Sequence, residues 1–179
     1  EFAPVLESNA YGHGLFEIAN ILEGETCPFL CVDSYFEANI LRAKAERAPL
    51  LVIGYTDPLN LKRASLNKVS YAIVSLEHLR NIEQTLSSPA KFHLKLDTGM
   101  RRQGMLPGQI PEAIAILKKS KNIKIEGVFS HFADADNENS SFTERQIETW
   151  NKSVRILRSE LPKIRYTHLA ATAGSFYSK

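Results

Sequence analysis

The feature that most constrains this chain is a regular alternation of short apolar runs with segments whose apolar residues recur at helical spacing. The runs are Phe2–Leu6, Phe29–Val32, Leu50–Ile53, Ala72–Val74, Phe92–Leu96, Ile123–Phe129 and Tyr166–Ala170, seven candidate strands in all. Between them, Leu15, Phe16, Ile18, Ala19, Ile21 and Leu22 form one helical stripe before Gly24, and Ala113, Ile114, Ile116 and Leu117 form another after Pro111, a residue suited to a helix start. Consecutive βα units predict a parallel α/β fold, and their number favours a TIM-type (β/α)8 barrel over an open doubly wound sheet. A complete barrel has eight strands, so residues 1–179 are expected to supply about seven, with the open edges closed by further chain or by a partner.

The longest helix is predicted from Phe142 to Leu161, opened by Ser141-Phe-Thr-Glu144 in capping-box spacing and stopped by Pro162. Its inward residues are read as Ile147, Trp150, Val154, Ile156 and Leu157. No Pro/Gly/Ser-rich linker divides the chain, so residues 1–179 are read as one domain. A net charge of +2 gives no excess that points to nucleic acid, and Lys118-Lys-Ser-Lys121 sits at a helix end, where cations suit the dipole. No apolar run approaches the roughly 18 residues of a membrane span, and the first residues lack a signal-peptide pattern, so a cytoplasmic location is expected. Cys27 and Cys31 lie beside or within an apolar run with no second pair, and are read as buried, reduced thiols rather than zinc ligands.

In a parallel barrel the loops that follow the strands carry the chemistry, so polar residues just after each apolar run are the ones of interest. Four such segments stand out: Glu7-Ser-Asn-Ala-Tyr-Gly-His-Gly14, Lys95-Leu-Asp-Thr-Gly-Met-Arg-Arg-Gln-Gly104, Gly127-Val-Phe-Ser-His-Phe-Ala-Asp-Ala-Asp136 and His168-Leu-Ala-Ala-Thr-Ala-Gly174. The first three also have a plainer reading. Gly12-His13-Gly14 is compatible with a turn and a helix-capping histidine, Lys95-Leu-Asp97 with a strand-end ion pair, and His131 with a core position. His131 with Asp134 and Asp136 raises a metal site, which no second histidine or upstream carboxylate pair at ligand spacing supports, so no metal is expected.

Taken together, the four segments resemble the signatures of the alanine racemase family, in its order, across nearly the whole chain. Pro4-Val-Leu-Glu-Ser-Asn-Ala-Tyr-Gly-His-Gly14 is similar to the family's cofactor signature, except that Glu7 stands where the family keeps the lysine that holds pyridoxal 5'-phosphate. The resemblance implies that Tyr11 hydrogen-bonds the cofactor phosphate. It assigns Arg102 to the cofactor's phenolic oxygen and to fixing the substrate carboxylate, a task suited to a planar, permanently charged donor. It matches Lys95 to a lysine that supports that arginine and His131 to the histidine stacked on the pyridine ring. In the last segment Ala171 replaces an asparagine and Thr172 a serine; Thr172 retains a hydroxyl able to donate to phosphate, and Ala171 has no side-chain donor. All four segments are expected to converge at the C-terminal ends of the strands.

By this resemblance the complete, lysine-bearing protein is a homodimeric isomerase that interconverts L- and D-alanine and supplies D-alanine for peptidoglycan. The family's eighth strand, with an arginine facing the pyridine nitrogen, and its C-terminal β-domain, with a tyrosine acting across the dimer, lie outside residues 1–179. A carboxylate at position 7 has no amine to condense with an aldehyde, so the chain carrying Glu7 is expected to be inactive. Two further readings stand beside this one: a non-catalytic pyridoxal-phosphate-binding or interaction module, and a metal-dependent barrel hydrolase.

Overall fold

A computed structural model describes residues 1–44, 47–63, 66–137, 140–169 and 171–176, which fall into two compact units, Glu1–Ala72 and Ile73–Lys179. In the first unit β1 (Leu30–Val32), β2 (Leu50–Val52) and β3 (Val69–Ile73) run parallel in chain order, with Leu30 opposite Leu50 and Leu50 opposite Val69. Every residue of these strands is buried, which is why β1 and β2 read as unbroken apolar runs rather than alternating ones, while β3 also buries Ser70. The helical segments of this unit are α1 (Glu7–Tyr11), which is left-handed, α2 (Leu15–Ile21), α3 (Tyr35–Ala43) and α4 (Pro58–Arg63). Ser34 caps α3 by accepting from the Glu37 amide at 3.2 Å, and α3 buries Ala38 and Leu41. At its other end, Arg42 donates to the carbonyls of Ala48, Asn67 and Lys68, tying down the turns that enter β2 and β3.

The second unit holds α5 (Leu76–Thr85), β4 (Ala90–Lys95), α6 (Ile110–Lys119), β5 (Ile123–Phe129), α7 (Ser141–Glu160) and β6 (Tyr166–His168). β4, β5 and β6 pair in parallel, so their C-terminal ends share one edge, where Lys95 lies opposite Phe129 and Phe129 opposite His168. The β4–β5 ladder shifts register after Phe92: Phe92 faces Ile125, His93 faces Gly127, and Glu126 is the extra residue of a bulge. A Cβ on Gly127 would lie 2.3 Å from His93 Nδ1, so glycine there is what lets the buried imidazole in. The exposed ion pairs Arg80–Glu112 and Lys118–Glu160 join neighbouring helices, and each contributes about 0–1 kcal/mol. Among the described residues no helix is long and apolar enough to cross a membrane.

Several sequence expectations are corrected. Phe2–Leu6 forms no ladder: it is a single parallel bridge from Val5 to Cys31, flanked by bonds from the Cys31 amide to the Pro4 carbonyl and from the Leu6 amide to the Cys31 carbonyl. Pro4 has no amide to extend the pairing, and the chain turns away at Glu7, so the β1–β2–β3 ladder takes only this bridge from the first apolar run. On α7 the cap is Ser140, not Ser141, with its Oγ accepting from the Thr143 amide. Trp150 and Leu157 are buried as expected, whereas Ile147 and Ile156 are 39% and 49% exposed, because the buried stripe continues through Gln146 and Ser153 instead. On α2, Ile21 is likewise exposed. Cys31 is buried, and burial, with the Glu7 charge as a smaller cause, pushes its thiol up to about 12; Cys27 is only half-buried. The last strand ends at His168, and Ala170 lies outside the described residues.

Candidate functional site

Glu7 begins a turn in which four consecutive non-glycine residues, Ser8, Asn9, Ala10 and Tyr11, have φ of 53°, 57°, 52° and 55°. Left-handed backbone costs about 1–2 kcal/mol per residue, so this loop persists only because its surroundings over-determine it. Those bonds are present. The Ala10 amide donates to the Leu6 carbonyl, the Gly12 and Gly14 amides to the Asn9 carbonyl, and the Leu15 amide to Asn9 Oδ1 at 2.8 Å, which caps α2. Glu37 accepts from the Asn9 amide with one oxygen and from the Asp33 amide with the other. The result fixes Glu7 and Tyr11 on one side of the turn, where the Tyr11 hydroxyl donates to Glu7 Oε1 at 2.8 Å. That bond, then partial burial, then the carboxylate's charge raise the Tyr11 phenol to about 12, so it stays a donor at ordinary pH. Tyr11 is otherwise open to solvent, at 64% exposure.

In the second unit, Lys95 ends β4 with its side chain buried, its Nζ donating to Gln103 Oε1 at 3.1 Å and lying 5.4 Å from the Phe129 ring centre. Asp97 is engaged by the backbone instead, accepting from the amides of Gly99 and Arg101. The loop from Asp97 to Gly104 closes on itself through a bridge between Leu96 and Met105, with the Met105 amide donating to the Lys95 carbonyl. Gly104, at φ 128°, is required there, since a Cβ would come within 2.5 Å of the Asp97 nitrogen. Arg102 lies on the exposed outer part of this closed loop.

His131 follows β5 and is exposed, which removes the core reading. Its carbonyl accepts from Gln146 Nε2 at 3.1 Å, while Gln146 Oε1 accepts from the Ala133 amide and Nε2 also donates to Thr98 Oγ1. Thr98 in turn bonds the Ser130 hydroxyl at 2.9 Å. One buried glutamine thus clamps the loops after β4 and β5 together. Thr172 follows β6 and is exposed, with its carbonyl accepting from the Ser175 hydroxyl. His168, at the end of β6, stacks on Phe129 with ring centres 5.0 Å apart. The segments bearing Arg102, His131 and Thr172 therefore leave the same edge of the β4–β5–β6 ladder, and Glu7 and Tyr11 are brought together in the first unit.

Sequence reasoning passed over Gln146, Gln103 and His93. A glutamine on a helix or in a loop reads as solvent-facing and a histidine inside an apolar run as incidental, so none of the three carried a signal. Among the described residues no group of three or more His, Cys, Asp or Glu side chains is placed to hold a metal ion. The first loop does not fit a covalently held pyridoxal phosphate: position 7 offers a carboxylate, and the phenol expected to meet the phosphate is given to that carboxylate.

The family model for the N-terminal domain of alanine racemase matches residues 1–178. An alanine racemase of Carboxydothermus hydrogenoformans is 35% identical over 181 residues, covering 97% of this chain and 48% of its own length. The solved structure of an alanine racemase from Clostridium difficile 630 matches with a TM-score of 0.86 and 32% identity, over 96% of this chain and 48% of that one. A histidine racemase from Leuconostoc mesenteroides subsp. sake matches with a TM-score of 0.86 and 27% identity, over 99% of this chain and 48% of that one. The chain thus spans about half the length of these relatives and shares the parallel α/β, TIM-type fold of their barrel domain. It belongs to the alanine racemase family.

Proposed function

We propose that residues 1–179 are the cofactor-side barrel segment of an amino-acid racemase, and that the chain carrying Glu7 neither holds pyridoxal phosphate covalently nor racemises alanine. The single observation that carries this is the Glu7–Tyr11 bond, which replaces the family's amine with a carboxylate and occupies the phenol. In the complete, lysine-bearing polypeptide the same barrel serves the interconversion of L- and D-alanine in a homodimer. Arg102 then faces the cofactor's phenolic oxygen and the substrate carboxylate, Lys95 supports it, His131 lies against the pyridine ring, and Tyr11 and Thr172 meet the phosphate. Alanine is the substrate favoured by the relatives at 32–35% identity. The same bond favours a second reading, a catalytically silent member of the family.

Borohydride reduction after incubation with pyridoxal phosphate, followed by peptide mapping, tests the proposal. The unaltered chain should carry only weak, scattered pyridoxyl label on its lysines, and Glu7→Lys should carry stoichiometric label at position 7. Stoichiometric label on one lysine of the unaltered chain, Lys95 included, would show that the anchor has moved and would overturn the assignment. In a complete polypeptide Glu7→Lys should also racemise alanine; covalent labelling without racemisation would retain the fold and remove the activity.

A further inference from the structure

The interior of the second unit contains a line of polar groups that the proposed function leaves unused. His93, on β4, is fully buried, and its ring occupies the space left by Gly127. Its Nδ1 lies 2.9 Å from Nε2 of His168 on β6, and its Nε2 lies 3.7 Å from Oε1 of Glu126, the bulge residue of β5. The other Glu126 oxygen pairs with Lys91 Nζ at 3.0 Å. Both rings are held in plane: Tyr166 stacks on His93 with centres 5.8 Å apart, and Phe129 stacks on His168.

Two imidazoles that share a single hydrogen between one nitrogen of each need one donor and one acceptor, and the outer neighbour decides which is which. A carboxylate beside Nε2 of His93 favours the hydrogen on that atom. Nδ1 of His93 then carries the lone pair, so the hydrogen between the rings belongs to His168. We propose that His93 is a positioning residue that, backed by Glu126, fixes His168 as its Nε2–H tautomer and makes Nδ1 the accepting atom at the end of β6. Burial first, and the nearby His93 second, push His168 down to about 3, so the ring stays neutral while its tautomer is set. The bulge at Glu126 and the missing side chain at Gly127 then have one purpose, to bring a carboxylate and an imidazole onto the same line. Neither Glu7 nor the cofactor enters this inference, so it stands or falls separately from the proposed function.

The test is a long-range 1H–15N correlation spectrum of the full chain at pH 8, with the five histidines assigned by His93→Gln and His168→Gln. In the unaltered chain His168 should give a single neutral Nε2–H pattern. An Nδ1–H pattern, a mixture or a charged ring would overturn the proposal without any variant having to fold. Glu126→Leu removes the carboxylate and should turn the His168 signal into a mixture of tautomers while its circular dichroism stays that of the parent. An unchanged His168 pattern in folded Glu126→Leu would remove Glu126 from the relay.

Discussion

The Tyr11 hydroxyl donates to the Glu7 carboxylate, so the phenol proton is committed to an acceptor within the same turn. The bond also makes a measurable statement about titration. With the Tyr11 phenol raised to about 12, its stabilising bond is present below the unfolded phenol value of 10.0 and is lost as pH rises through the folded value. Glu7→Gln should bring the Tyr11 titration back toward 10, read as tyrosinate absorbance with Tyr11→Phe as the blank; an unchanged curve would break the assignment of the shift to Glu7. At Gly127 the expectation is steric. Gly127→Ala places a methyl 2.3 Å from His93 Nδ1 and should cost on the order of 1–3 kcal/mol in urea unfolding, with much of that loss relieved in a His93→Ala background if the clash is the cause. At this scale the motif residues were legible, since their identities carry the family signatures. The left-handed run was not, because Ser8, Ala10 and Tyr11 have no intrinsic preference for that backbone, only Asn9 tolerates it readily, and the run is held by bonds to Leu6, Leu15 and Glu37.

The elements show where pattern reading works. β1, β2 and β5 sit almost where their apolar runs placed them, β1 and β2 because fully buried parallel strands carry an unbroken apolar run, and the capping serines at positions 34, 75 and 140 each bond the amide three residues on. The reading failed where tertiary contacts override local pattern. α7 turns Gln146 and Ser153 inward, since Gln146 serves the loops after β4 and β5 and Ser153 satisfies itself on the Thr149 carbonyl, so two isoleucines are left half-exposed. β6 ends in a histidine whose neutrality is coupled to folding. His168 titrates near 6.5 when unfolded and about 3 when folded, so between those values the unfolded chain binds more protons and stability should rise with pH. His168→Gln should flatten the fall in stability between pH 6.5 and pH 4, followed by urea midpoint at each pH; a parallel fall in the variant would place the acid sensitivity elsewhere.

Across the whole molecule the hydrogen-bonded backbone is unevenly distributed, and this gives the chain an order of opening that can be measured. β4 and β5 pair over six positions with buried residues on both strands, Phe92 and Leu94 are fully buried, and the loop after β4 is locked by the Leu96–Met105 bridge. The first apolar run has only one bridge and two flanking bonds to Cys31, with Phe2 largely exposed. Amides protected by long, buried ladders exchange only through large openings, while amides held by one or two bonds exchange through local opening. Hydrogen exchange followed by mass spectrometry should therefore find the peptides covering Phe92–Lys95 and Gly127–Phe129 last to exchange and those covering Glu1–Leu6 first, with the Glu7–Tyr11 turn slower than its exposure suggests because its amides are bonded within the loop and to Glu37. Restoring lysine at position 7 removes the acceptor for Tyr11 but leaves the Asn9 bonds to Leu15 and Glu37 in place, so the turn should keep most of its protection in Glu7→Lys. If that variant instead loses protection throughout residues 7–14, the left-handed turn depends on the glutamate itself, and a lysine there would have to be accommodated by a different backbone.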